Sequence, residues 1–252
     1  MPPSAPVTAV IPTLNEAIQI ADCVRAVRWA DEIIVADGGS SDETPRAAAA
    51  AGAKVLQGSW RTIAAQRNAA IAAARNDWVL AVDADERVGP ELAEEIGATV
   101  GAPEHRAYAV RRANSYAGRT IRFGGWGDDW VVRLFRRDRR YVERRVHEHL
   151  EHGDDVGKLR APLLHTPYRD LSHYVEKLDR YATWGAEELA ERGRRAHLVD
   201  VLLRPPARFF SMYILRLGFL DGWRGAVLSG LTGVSVFLKY VRLWELGRNS
   251  DG

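Results

Sequence analysis

Cysteine is almost missing from this chain of 252 residues: Cys23 stands alone, which excludes an internal disulfide and any thiolate zinc site and fits a reducing compartment. A lone cysteine on a helix is expected to be a small core-filling residue. Charge of one sign is also missing; the formal net charge is +2, so the totals give no argument for a nucleic-acid partner. The phosphate-cradling loops G-x-G-x-x-G and G-x-x-x-x-G-K-[ST] are both absent, which excludes a dinucleotide dehydrogenase and a P-loop enzyme. There is no internal repeat and no low-complexity tract beyond alanine clusters. The start, "MPPSAPVTAVIPTLNE", has no basic segment followed by an apolar one, so no signal peptide is expected. Residues 209–246 are apolar, yet Arg216, Asp221, Arg224 and Lys239 interrupt them below the roughly 20 residues of an uninterrupted span. They are expected to lie on a bilayer rather than cross it.

What is present is alternation. "VTAVIPT", "EIIVAD", "AKVLQ" and "DWVLAVD" read as strands, separated by helical stretches over 16–29, 42–51 and 62–75. Short apolar strands alternating with helices predict right-handed crossovers and a mostly parallel, doubly wound α/β sheet covered on both faces. After Pro103 the pattern changes to ribbons such as "RAYAVRRANSYAG" and "VVRLFRRDRRYV", expected to extend the sheet with mixed strands. From His173 the chain reads as helical, and the pair Pro205-Pro206 predicts a break before the apolar tail.

In an open parallel sheet, ligands bind beyond the carboxyl ends of the strands. Three such ends are polar: "PTLNE", "DGGSSDET" and "DAD". Taken singly, each has a bland explanation, since Thr13, Asn15, Ser41 or Asp42 could cap a helix and Asp83 could simply end its strand. Asp37, Asp83 and Asp85 converging would repel unless a cation or hydrogen-bond donors offset them. In extended backbone Asp83 and Asp85 project from one side. Magnesium or manganese takes one or two carboxylates plus substrate phosphates, so the spacing predicts a metal clamp for a diphosphate.

With "VIPTLNE", "IIVADGGSSDET", "AAQRNAAI" and "WVLAVDADE" in this order and spacing, the chain resembles glycosyltransferase family 2, inverting enzymes with the GT-A nucleotide-sugar-binding fold. "GGWGDDWVVRLFRR", "RRVHEHL", "HYVEKLDRYATW" and the apolar tail resemble the branch of lipopolysaccharide core-type β-glucosyltransferases. The resemblance implies a GT-A catalytic domain over 1–165, with a nucleotide-sugar half 1–102 and an acceptor half 103–165, and a helical, membrane-associated extension over 166–252. It implies that Pro12, Thr13, Asn15, Glu16 and Asp37 line the nucleoside pocket, that Arg67 and Asn68 help hold the nucleotide, that Asp83 lies near the ribose or cation, and that Asp85 ligates Mn2+ or Mg2+. The donor implied is UDP-glucose and the acceptor a lipid-linked saccharide, at the cytoplasmic face of the cell membrane.

An inverting transfer needs a carboxylate to take the acceptor's proton, while metal and basic groups stabilise the departing diphosphate. The candidate base is Asp129 in "GGWGDDW", where glycines allow close approach and tryptophans offer a sugar-stacking surface. Related sequences usually have proline where this chain has Asp128, which keeps Asp128, Asp129 and the runner-up Glu148 in "VHEHL" open. His147 is a candidate to complete the metal shell. Arg133, Arg136 and Arg137 are candidates to neutralise phosphate, or else a solvated ribbon face. In the tail, Phe209, Phe210, Tyr213, Trp223 and Trp244 interleave with Arg208, Arg216, Arg224, Lys239 and Arg242, as suits a peripheral contact with an anionic bilayer. The alternative is aromatic packing within a helical subdomain or against a second copy. A nucleotidyltransferase is disfavoured, because "IPTLNEAIQ" lacks a glycine- and arginine-rich loop. A catalytically silent nucleotide-sugar-binding or membrane-anchoring module is the rival from another class.

Overall fold

The computed structural model describes residues 5–60, 62–142, 149–151 and 153–249. The chain divides into two compact units, one formed by residues 1–113 and 129–165, the other by 114–128 and 166–252.

The first unit is built on a mixed sheet. Its parallel part comprises β1 (Ala5–Thr13), β2 (Ala30–Asp37), β3 (Lys54–Gln57) and β4 (Trp78–Ala81) in the order β3-β2-β1-β4. These strands alternate with helices α1 (Ile20–Ala26), α2 (Thr44–Ala50) and α3 (Ile63–Ala73). The period-two side-chain alternation divides the apolar residues between two cores. Val7, Ala9 and Ile11 of β1 and Leu80 of β4 join Ile20 and Val24 of α1 on one face. Val10, Val79 and Ala81 join Ala64, Ala70 and Ile71 of α3 on the other. Both faces are therefore dry, which is why these strands read as nearly continuous apolar runs. Helix α3 starts where the Thr62 hydroxyl accepts from the Ala65 N–H at 3.1 Å, and this cap satisfies one of the orphan donors of its first turn.

The antiparallel part follows. The strands are β5 (Glu86–Val88), then after α4 (Pro90–Gly101) the long β6 (Ala107–Tyr116), β7 (Arg119–Thr120), β8 (Trp130–Arg136), β9 (Val156–Lys158) and β10 (Leu163–His165). Strand β8 sits between β4 and β6 and is antiparallel to both, and β10 pairs antiparallel with β5. Cys23 is buried, and burial pushes its thiol well up, so it fills the core as expected of it.

The second unit is helical: α5 (Leu171–Glu191), α6 (Leu198–Phe210) and α7 (Trp223–Asn249), with a π-turn over Ser211–Leu215 and a 3-10 turn over Gly218–Asp221. Tyr174 and Leu178 of α5, Leu228 of α7 and Ile121 make its core. The expected break at Pro205-Pro206 does not occur; α6 runs through both. Proline lacks the amide that would close a helical bond with the carbonyl four residues earlier. Here Leu202, Leu203 and Pro206 are exposed, and no α6 residue is buried, so solvent can take up the freed carbonyls. The distortion instead follows in the wider π-turn, a form that accommodates such defects. Among the described residues one helix, Trp223–Arg248, is long and apolar enough to cross a membrane by length and composition, and its buried side chains, Leu228 and Leu243 among them, pack within this helical unit.

Candidate active site

The carboxyl ends of β1, β2 and β3 are level, because Thr13 pairs with Asp37 and Asp37 with Gln57. Gln66 of α3 locks this edge by donating from Nε2 to the carbonyls of Thr13 at 2.7 Å and Ala36 at 2.5 Å. The two loops above are stitched together. Asn15, in left-handed backbone at φ 56°, donates its N–H to Ser40 Oγ at 2.8 Å and accepts from the Ser41 N–H at 2.9 Å. The Glu16 N–H donates to Thr44 Oγ1 at 2.8 Å, and Asp42 accepts from the N–H groups of Ala17 at 3.2 Å and Thr44 at 3.0 Å.

Asp37 is 0 % exposed. Its carboxylate accepts from the N–H groups of Gly39 at 3.3 Å and Ser40 at 3.1 Å, and from the Ser40 hydroxyl. Its carboxylate therefore organises the loop after β2. Strand β1 intervenes between β2 and β4, so this carboxylate lies about two strand spacings, roughly 10 Å, from the end of β4. Pro12 is buried at the same edge, and the Thr13 hydroxyl is buried with no hydrogen-bond partner among the described residues. Such an orphaned buried group calls for an acceptor or donor that the described residues do not supply.

The "DAD" residues do not continue β4 as extended backbone. The Glu86 N–H donates to the Asp83 carbonyl at 2.9 Å, so Asp83 to Glu86 form a tight turn and the two aspartates do not share a strand face. The turn is pinned by Arg87, which donates to the carbonyls of Ala84 at 2.7 Å and Gln19 at 3.0 Å. Each aspartate has its own company. Asp85 Oδ1 lies 3.5 Å from Nε2 of His165, a residue delivered by the β10 to β5 pairing, in which His165 is opposite Glu86. Asp83 faces two arginines: Arg67 Nη2 donates to Oδ1, and Arg133 Nη2 donates to Oδ2 at 2.5 Å.

That contact opens a longer ionic row. The same Arg133 nitrogen donates to Glu86 Oε1 at 2.6 Å, and the Asp83 N–H donates to Glu86 Oε2 at 2.9 Å. Arg112 of β6 lies 3.7 Å from Glu86 and grips Asp129 with two parallel bonds, Nε to Oδ2 at 2.8 Å and Nη2 to Oδ1 at 3.0 Å. Three guanidinium groups thus interleave with three carboxylates, Arg67, Asp83, Arg133, Glu86, Arg112 and Asp129. Burial works to raise the Asp83 pKa, but Arg133 and Arg67 outweigh it and hold the carboxyl well below the usual range. Glu86, 0 % exposed, is pushed up by burial against the pull of Arg133. Arg133 is 5 % exposed and committed to these acids, so it positions Asp83 rather than offering itself to solvent.

Asn68 holds backbone: it donates to the Tyr141 carbonyl at 2.9 Å and accepts from the Tyr141 N–H at 2.8 Å. His147 and Glu148 lie outside the described residues. Among the described residues no group of three or more histidine, cysteine, aspartate or glutamate side chains could hold a metal ion. The Asp85 and His165 pair, with 15 % and 10 % of their side chains exposed, suits a divalent cation whose remaining ligands come from water and a substrate diphosphate. Sequence reasoning missed His165 and Arg112. "LLH" before "TP" carried a strand-end signal for His165, whereas nothing local pairs Arg112 with Asp129.

A parallel α/β half carrying polar loops at its carboxyl edge, continued by antiparallel strands and closing helices, is a GT-A-like architecture. The chain belongs to glycosyl transferase family 2, whose family model matches residues 8–160. It is similar to the lipopolysaccharide core biosynthesis glycosyltransferase LpsC of Rhizobium meliloti (strain 1021), 26% identical over 263 residues covering 95% of each chain. An uncharacterized glycosyltransferase of Rickettsia bellii is 26% identical over 254 residues, covering 95% of this chain and 86% of that one. Among solved structures, S. aureus TarS is 16% identical over 71% of this chain and 39% of that chain, with a TM-score of 0.49. Glucosyl-3-phosphoglycerate synthase from Mycobacterium tuberculosis, in complex with Mn2+ and UDP, is 24% identical over 43% and 44% with a TM-score of 0.38. Neither structural likeness is strong enough for its ligands to transfer.

Proposed function

We propose that this transferase is an inverting hexosyltransferase that moves glucose from UDP-glucose to a lipid-linked saccharide in cell-envelope glycan or lipopolysaccharide core assembly. The observation that carries the reading is the ionic row joining the turn that holds Asp85 to the candidate base Asp129, which would hold both ends of a displacement in one strand framework. The name of the Rhizobium relative supports the pathway, and the orphaned Thr13 hydroxyl supports a nucleoside beside Asp37, Asn15 and Glu16.

Asp85 and His165 would hold Mn2+ or Mg2+, with His147 as a further candidate. When bound, the cation supplies positive charge to the departing diphosphate. In a single displacement, the acceptor oxygen forms the new bond at the anomeric carbon while the bond to the diphosphate breaks, which inverts that centre. The acceptor's proton passes to Asp129, a carboxylate that Arg112 orients. Arg112 is a positioning residue for that base, and Arg67 and Arg133 hold Asp83 beside the clamp.

Exposed apolar residues of α6, among them Leu198 at 71%, Val199 at 62% and Leu203 at 61%, support peripheral attachment to a membrane that carries the acceptor. The test is release of nucleotide diphosphate from UDP-glucose with manganese and membrane glycolipid extract. Asp129→Asn should keep donor binding and lose transfer by about 10²- to 10⁴-fold. Loss with Glu148→Gln alone would move the base to that residue, and no release by the unaltered enzyme from any UDP-hexose would end the reading.

A further inference from the structure

The helical unit contains a cavity of about 260 Å³ whose walls include Trp126, Tyr168, Tyr174, Tyr181, Arg208 and Arg216. Its aromatic side is ordered. The Tyr168 and Tyr174 rings lie 3.9 Å apart between centroids, and Trp126 meets Tyr168 edge-on at 6.3 Å. The Trp126 indole N–H is buried with no hydrogen-bond partner among the described residues, an expensive condition unless a ligand or water supplies an acceptor. Thr232 and Ser235 add hydroxyl groups to the wall.

The cationic side is uncompensated. Neither Arg208 nor Arg216 has an ion-pair partner among the described residues. The carboxylate of Asp221 is already taken by the backbone N–H groups of Phe123 at 2.8 Å and Arg122 at 3.1 Å. Lys239 on α7 is held below its usual pKa by burial, and then by Arg204 and Arg208, with Glu188 acting the other way. Arg216 is seated by design of the backbone: the Gly124 N–H donates to its carbonyl at 2.8 Å. A Cβ on Gly125, at φ +92°, would come within 2.6 Å of its Nη1. The left-handed backbone at Gly125 favours glycine there, and the absent Cβ leaves room for the guanidinium against that loop. Leu217, the next residue, takes left-handed backbone at φ 58°, a cost that a leucine bears where the surrounding structure fixes the turn.

We propose that this cavity is a binding site for a phosphate-bearing saccharide, with Arg208 and Arg216 on the phosphate and the tyrosine and tryptophan rings against the sugar. Guanidinium forks match phosphate oxygens, and aromatic faces beside hydroxyl donors suit a sugar's alternating apolar and polar surfaces. The arginines stand on a segment in which Phe210, Ile214, Leu215 and Leu217 are exposed at 53%, 40%, 67% and 45% while Met212 is buried. The site therefore accepts its phosphate from a lipid headgroup or from a free sugar phosphate. This deepens the function proposed above by naming the acceptor's anionic chemistry, and rests on that reading.

The test uses no donor, so it stands apart from the nucleotide-release assay that decides the reading above. Calorimetric titration of the whole chain with glucose 1-phosphate and with glucose forms one arm. The other is co-sedimentation with phosphatidylcholine vesicles with and without phosphatidic acid. The unaltered protein should bind the phosphate-bearing probe at least tenfold more tightly than its neutral counterpart in one arm or both, and the arm that responds identifies the source. Arg208→Gln with Arg216→Gln should lose that preference at an unchanged unfolding temperature. Arg216→Lys, which keeps the charge but not the fork, should fall between, and Arg46→Gln on the first unit should bind as the unaltered protein does. A double variant that keeps the preference, or an unaltered protein that shows none in either arm, would overturn the proposal.

Discussion

The sheet edge of the first unit and the cavity of the helical unit handle charge in opposite ways. At the edge every arginine of the row meets a carboxylate, with Arg67, Arg133 and Arg112 interleaved with Asp83, Glu86 and Asp129. In the helical unit Arg208 and Arg216 line a cavity and have no ion-pair partner among the described residues. Apolar groups follow the same division: β1 and β4 bury theirs on both faces, while α6 buries none. A self-neutralised row holds side chains rigidly before substrate arrives, as catalysis requires. Uncompensated charge beside exposed apolar surface is the condition of a surface that is completed by what it binds.

If this contrast is right, the largest effect belongs to Asp85, which faces His165 at the edge. Asp85→Ala should leave the unfolding midpoint within the ordinary range for a surface substitution, because its turn is held by Arg87 and by the Glu86 N–H. Transfer should fall by on the order of 10²- to 10³-fold, the cost of losing one stabiliser of transition-state charge. Normal turnover by that variant would remove Asp85 from the clamp.

Next is the row itself. Arg133→Leu takes the closest cation from the fully buried Glu86 beside Asp83, and the unfolding free energy in a urea titration should drop by about 3–5 kcal/mol. The same kind of pair in the helical unit is exposed: Arg204 and Asp200 lie 2.5 Å apart with the arginine side chain 51% accessible, so Arg204→Gln should cost less than about 1 kcal/mol. Equal losses would erase the distinction between the two regions. The sign of the pH dependence sharpens it. Asp83, whose pKa is depressed, contributes stability that is complete above the ordinary carboxylate value of about 3.9 and is lost as pH falls toward its folded value. Glu86, whose pKa is raised, acts in the opposite sense and gives up its contribution as pH rises through that value. Asp83→Asn should therefore flatten the acid limb of the stability curve below about pH 4.

The difference between the regions also explains what could be read without coordinates. Strands β1, β2 and β4 announce themselves because burial on both faces leaves apolar runs, and "TIAAQRNAAIAAAR" announces α3 through its Thr62 cap. These are local signals. From sequence the turn at Asp83 to Glu86 reads as extended, because two aspartates two residues apart look alike in a strand and in a tight turn, and the deciding hydrogen bond is set by neighbours such as Arg87. His165 reaches Asp85 through a three-residue strand in which it pairs with Glu86, far back in the chain, and Arg112 reaches Asp129 across a register that no composition encodes. Helix α6 defeated the proline rule since its whole outer side is open, so the unpaired carbonyls meet no penalty of burial.

The smallest effect on stability should fall where the comparison is most visible on the surface. Leu202 and Leu203 are 58% and 61% exposed on α6, so converting both to aspartate removes little buried area and should change the unfolding free energy by no more than about 0.5 kcal/mol each. Retention on vesicles containing phosphatidylglycerol should nevertheless fall sharply, because an in-plane helix binds through the apolar area that it sinks into the headgroup boundary. Ile63 is 49% exposed on the first unit but stands at a helix start beside Thr62, so Ile63→Asp should leave retention unchanged. If Ile63→Asp weakens retention as much as the α6 pair does, the exposed leucines of α6 are not a membrane face, and the two units differ in how they treat charge but not in what they meet outside.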